Sequence, residues 1–168
     1  FKSRYFAFGK DKYFSDLSFS FKKKWSKVWT STFEFQQLFY NKSVIEGGLY
    51  DNINATVVSA DILYKYAKKK SARAELQHLF TKEDKQNWVS GLLELGYAPH
   101  WTFFLQDLYN YGYKDQIHYY NGGFSYNYDS YRVLIGYGRQ RAGLVCTGGV
   151  CRQVPASTGV TLTLSSSF

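Results

Sequence analysis

Apolar and polar side chains alternate with period two along almost every stretch of the chain after residue 10. That spacing sends successive side chains to opposite faces of a strand, and it predicts nine strands. The first, 12–21, sets Leu17, Phe19 and Phe21 against Asp16, Ser18 and Ser20. The second, 27–40, sets Trp29, Phe33, Phe35 and Phe39 against Thr30, Thr32, Glu34 and Gln36. The third, 55–66, opposes Val58, Ala60, Ile62 and Tyr64 to Ser59, Asp61 and Lys65, and the fourth, 71–80, opposes Ala72, Ala74 and Leu76 to Arg73, Glu75 and Gln77. The fifth, 88–97, the seventh, 118–128, the eighth, 131–137, and the ninth, 158–168, follow the same rule. The sixth, 101–111, is ambiguous, because Phe103 and Phe104 are adjacent and Asp107 shares the side of Trp101 and Leu105. No helical periodicity of useful length interrupts the series.

The connections carry as much information as the strands. Those such as KKKWS, AKKKS, APH and YDS are short. They alternate with longer ones, of which RQRAGLVCTGGVCRQVPAS, within 139–157, is the longest. In an up-and-down antiparallel meander this places tight turns at one end of the sheet and loops at the other. Strands of about ten residues with that asymmetry are the pattern of transmembrane β-barrels, which have short periplasmic turns and longer extracellular loops. The expected architecture is therefore all-β: residues 1–168 form one transmembrane up-and-down antiparallel β-barrel domain, with 139–157 as a long extracellular loop. Nine strands do not match the even count of single-chain bacterial barrels. Either residues 2–8 form a tenth strand, or further strands precede Phe1 within a larger even-stranded barrel, and the second is preferred.

Period two fits a soluble ligand-binding barrel as well as a membrane barrel, since one points its apolar face inward and the other outward. Three features favour lipid. Aromatic residues, 20% of the chain with 16 Tyr and 14 Phe, gather near strand ends, where they would form interfacial girdles. The opposite face carries Asp16, Glu34, Asp61, Arg73, Glu75, Glu94 and Arg132, the residues expected to line a polar lumen. The chain also ends on an aromatic strand whose last residue is Phe168, an ending that resembles the assembly signal of outer-membrane barrels. No run approaches the ~18 apolar residues of a membrane helix, and the abundance of aromatic and β-branched residues argues against disorder. The net charge of +8 concentrates in Lys22-Lys23-Lys24 and Lys68-Lys69-Lys70. These tracts sit between strands and read as solvated turns rather than a nucleic-acid groove, so no nucleic-acid partner is expected.

Candidate chemistry is sparse. Cys146 and Cys151 flank a Gly-Gly centre in LVCTGGVCR, and outside the cell a disulfide is the expected state. In the chain-entropy model so small a ring contributes only about 2 kcal/mol, enough to pin a loop. Neither a metal site nor a redox pair is supported by this spacing. Among the histidines, His100 belongs to the APH turn. The hairpin of the sixth and seventh strands brings Asp107 diagonally close to His118, the beginning of a triad, but no serine is obviously placed beside them. Gly47-Gly48 and Gly122-Gly123 match no phosphate loop; the second pair lies within a strand, where small residues ease curvature. No enzyme activity and no cofactor are expected.

Two segments, DNINATVVSADILYKYAKKKSARAELQHL (51–79) and GRQRAGLVCTGGVCRQVPASTGVTLTLSSSF (138–168), together with HYYNGGFSY (118–126), resemble a family of Bacteroidota outer-membrane β-barrel proteins of unknown function. The likeness spans roughly 45–168, and its most distinctive parts are Arg139-Gln140-Arg141 before the cysteines and Val154-Pro155 after them. It implies that this chain is the C-terminal portion of a longer protein, and it brings no catalytic residues. The expected location is the bacterial outer membrane, with its lipid as a partner. The expected function is that of a porin-like conduit for small polar solutes. The alternative is a non-catalytic structural subunit of a larger outer-membrane complex, contacting another barrel or a lipoprotein.

Overall fold

A computed structural model of the chain describes residues 13–43, 52–83, 86–112, 114, 116–147 and 150–166, with the backbone alone at 143–147 and 150–154. The elements are β1 (Phe14–Lys24), β2 (Trp29–Tyr40), β3 (Ile53–Ala67), β4 (Lys70–Thr81), β5 (Trp88–Tyr97), β6 (Trp101–Asn110), β7 (His118–Tyr128), β8 (Tyr131–Gln140), β9 (Gly143–Thr147), β10 (Val150–Val154) and β11 (Ser157–Ser166). Nine of them form one sheet in the order β1-β2-β3-β4-β5-β6-β7-β8-β11, and β9 and β10 form a separate hairpin. Every pairing is antiparallel. The nine strands anticipated from period two all appear, the fifth and seventh with the same bounds.

Two expectations need correction. The sheet is not closed: among the described residues β1 and β11 are its two edges, with no pairing between them. The segment 139–157 is not a loop throughout, since β8 runs on to Gln140, β11 begins at Ser157, and a five-residue strand lies on each side of the turn between β9 and β10. The Val-Cys-Thr and Val-Cys-Arg runs hide that hairpin from a period-two reading because they are too short to show alternation. Residues 2–8, Gly47-Gly48 and the terminal Phe168 lie outside the described residues.

Local chemistry explains why one end is tight. Between β1 and β2 the Ser26 hydroxyl accepts hydrogen bonds from the Val28 and Trp29 amides at 3.2 and 3.1 Å, a side-chain-closed turn. Lys69 (φ 66°) and Asp129 (φ 50°) take up left-handed conformations in the turns before β4 and β8, and Asp adopts that region more readily than most residues.

Register sorts the faces. Phe19 stands opposite Phe35, Phe35 opposite Val58, Ala74 opposite Leu93, Leu93 opposite Leu105, Phe103 opposite Phe124, Phe124 opposite Ile135 and Ile135 opposite Leu162. This outer face is apolar and open: Leu17, Phe19, Leu162 and Leu164 are 67%, 66%, 62% and 71% exposed. Burial is found chiefly on the other face, where Leu92, Phe104 and Leu134 form the core cluster beside fully buried Ser125. A single sheet buries one face only by curling round it. Between β7 and β8 the backbones approach so closely that a Cβ at Gly123 would run into the Ile135 carbonyl and the Gly136 backbone, and one at Gly138 into the Tyr120 carbonyl. Register also settles the sixth strand: Phe103 lies on the outer face with Trp101, Leu105 and Asp107, and Phe104 packs on the inner one.

Candidate functional site

All seven residues anticipated on the polar side (Asp16, Glu34, Asp61, Arg73, Glu75, Glu94 and Arg132) share the inner face by register. The structure brings four of them together near the turn end. Arg73 of β4 reaches across to Asp61 of β3 (Nε to Oδ2, 2.5 Å) and to Glu94 of β5 (Nη1 to Oε2, 3.0 Å), and along its own strand to Glu75 (Nη2 to Oε2, 2.5 Å). Cross-strand register is the cause, since Asp61 faces Glu75 and Arg73 faces Glu94. One guanidinium thus bridges three carboxylates, and Gln77 donates to the remaining Glu75 oxygen at 2.6 Å. Beside this group Glu34 accepts from Ser20 and Ser59 at 3.2 and 3.4 Å, and Asp16 accepts from Gln36 at 2.8 Å. Lys22, Glu34, Asp61, Arg73 and Glu75 line a shared cavity of about 360 Å³, in which carboxylates outnumber cations. Arg132, on β8 between Asn127 and Ser165, stands outside the group.

The loop end of the same face has different chemistry. A second cavity, of about 380 Å³, is bounded by Leu38, Ala55, Val57, Leu79, Leu108 and Trp88, with Arg141 at its rim. That residues of β2, β3, β4, β5 and β6 share one space is a direct consequence of the curl. Trp88, 8% exposed, stacks on Tyr119 with ring centroids 6.1 Å apart. The Arg141 guanidinium lies 4.7 Å from the Trp88 ring centre and that of Arg139 lies 5.2 Å from Tyr119, both within cation–π range. Nearby, Glu83 accepts from the Thr81 hydroxyl at 2.8 Å and from the Asn54 amide at 3.4 Å. The Thr81 hydroxyl, and after it the backbone amides, hold the Glu83 carboxyl below the usual carboxylate range.

Sequence reasoning missed this second region. Its signal was present: in ATVVSAD and ELQHL the residues Ala55, Val57 and Leu79 have the same parity as Asp61 and Glu75, so alternation fails on the polar face at the loop end.

Asp107 and His118 do meet, with Nδ1 2.7 Å from Oδ2, and the Tyr109 ring stacks on the imidazole at 3.9 Å. They lie on the outer face, about half exposed, and the register neighbours of Asp107 there are Gly91 and Tyr120, neither an activated nucleophile. His100 is more than a solvated turn residue: its Nδ1 lies 2.8 Å from the Asn127 carbonyl oxygen and its ring stacks on Tyr126. Backbone register sets Cys146 directly opposite Cys151; their side chains lie outside the described residues. Among the described residues no group of three or more His, Cys, Asp or Glu is arranged to hold a metal ion. No described helix is long and apolar enough to cross a membrane, which says nothing of a β-barrel.

A family model described as "Family of unknown function (DUF6029)" matches residues 1–168. The chain belongs to this family. Membership covers the whole chain. Neither the curated proteins nor the solved structures include a match.

Proposed function

We propose that this member of the DUF6029 family is part of a transmembrane β-barrel in the outer membrane of a Bacteroidota-type bacterium, and that it serves as a porin-like conduit for small polar solutes. The observation that carries this is the inversion of the sheet: apolar side chains are exposed on the outer face, while charge and burial share the inner one. A soluble ligand-binding barrel has the opposite arrangement. Aromatic rings add to it. Trp29 and Tyr64 stack at 4.2 Å, and Trp101 meets Tyr126 at 4.7 Å, near the turn end. The Tyr109–His118 and His78–Tyr111 pairs lie near the loop end. Trp101 and Tyr109 are about 26 Å apart along β6, close to the ~25 Å apolar band of such barrels.

In hydrocarbon an unpaired strand edge is not tolerated, so β1 and β11 would meet further strands in the membrane. Cys146 and Cys151 are read as a disulfide pinning the β9–β10 hairpin, detectable as one cross-linked peptide in a non-reducing digest. No catalytic step is assigned.

The test of conduction is a planar-bilayer recording. Discrete, reproducible conductance steps are expected, and silence counts against the conduit. The alternative, a structural subunit that binds another barrel or a lipoprotein, draws support from Arg73: one cation tied to three carboxylates clamps the adjoining strands β3, β4 and β5. Silence together with a stoichiometric partner after mild detergent extraction would favour it. Independently of conduction, Leu76→Arg on the outer face should hinder insertion by ~2–4 kcal/mol.

A further inference from the structure

We infer that the loop-end cavity of the inner face is a binding site for a small amphipathic anion, held by its apolar body against the wall and by its head group at Arg141. This deepens the conduit reading and rests on it, since the cavity is a site for solute only if the inner face is the barrel's interior.

Three observations lead there. Leu38, Ile53, Ala55, Val57, Leu79 and Leu108 give the cavity an apolar wall, with Gln77, Thr81, Gln86 and Ser90 as its polar lining. Its size, about 380 Å³, falls at the small end of pockets that hold small organic molecules. Arg141, one of the residues lining the cavity, lies over the Trp88 ring, while Arg139, on the outer-face parity of β8, lies over Tyr119. A guanidinium held over a ring keeps its N–H donors for an anion. Among the described residues no carboxylate forms an ion pair with either arginine, and Glu83 is engaged by Thr81 and Asn54. Apolar wall and cationic rim together select a ligand that has both features.

The probe is octanesulfonate, whose charge is permanent, titrated calorimetrically into the full-length protein in lipid nanodiscs, with empty nanodiscs as the reference. Saturable binding is expected. Methanesulfonate, which lacks the chain, and octanol, which lacks the charge, should each bind at least about tenfold more weakly, and Arg141→Gln should weaken octanesulfonate by about tenfold. A titration no different from empty nanodiscs overturns the site, as does equal binding by Arg141→Gln or by octanol. Conductance without the probe separates the two readings. A conducting protein that ignores octanesulfonate keeps the conduit and loses the site. A silent one that binds it saturably keeps the site and loses the conduit.

Discussion

Arg73 and Arg141 stand at opposite ends of one inner face and are held by opposite means. Around Arg73 the neighbours are Asp61, Glu75 and Glu94, and the charge is neutralised by hydrogen-bonded partners on three adjacent strands. Arg141 rests on the Trp88 ring at a cavity with a largely aliphatic wall, and among the described residues no carboxylate forms an ion pair with it. The difference teaches that alternation along a strand reports which face a residue occupies and nothing about which end of the sheet it stands at. Position along the strand is set by register, and register gathers Asp61, Glu75 and Glu94 around Arg73 at the turn end and sets Leu38, Ala55, Val57 and Leu79 side by side at the loop end.

The sharpest way to break the comparison is to empty the loop end. Trp88→Ala should destabilise the protein by about 3 kcal/mol, the low end for deleting a buried aromatic side chain, and should loosen Arg141 while leaving the ion selectivity of any conductance unchanged. Urea unfolding in vesicles measures the first and bilayer recording the second. Arg73→Leu, at the turn end, should cost less, about 2 kcal/mol. Breaking a fully buried pair costs more, but roughly a third of the Arg73 side chain is exposed and solvent screens part of the loss. Three carboxylates would then lack their common partner, so conductance should become more cation-selective, read as a shift in reversal potential across a salt gradient.

Glu75→Leu is milder, under about 1 kcal/mol, since Arg73 retains Asp61 and Glu94; equilibrium unfolding should resolve it from the Arg73 change. The smallest effect is a pH effect in the loop between β4 and β5. The Glu83 carboxyl is held low in the folded protein, so its tie to Asn54 is fully present above the unfolded carboxylate value of about 4.3. It is lost as pH falls through the lower folded value. Amide-exchange protection at Asn54 should drop in that acid window, and a pH-independent protection factor would remove Glu83 from the loop's anchoring.

Much of the fold was legible because its dominant force is written in a short period. Leu17, Phe19 and Phe21 against Asp16, Ser18 and Ser20 need no neighbour to declare two faces, and Asp107 and His118 needed only one hairpin to be brought near each other. What stayed hidden depends on pairing. The β9–β10 hairpin has too few residues to display a period, and the two-sided apolar run at Val57-Val58 does not announce that Val57 pairs with Leu79 and shares a cavity with Leu108, two strands further on. Closure was likewise beyond a local pattern, because it depends on what lies against β1 and β11.

The central claim is that lipid bathes the outer face and water the inner one, and neighbouring residues of β4 test it best. Nitroxide labels at Glu75→Cys and Leu76→Cys, in a Cys146→Ser/Cys151→Ser background reconstituted in vesicles, can be compared for relaxation by oxygen, which dissolves in lipid, and by a water-soluble nickel chelate. The label at position 76 should respond to oxygen and be shielded from nickel, with the reverse at position 75. Equal access of the nickel chelate to both positions would contradict it.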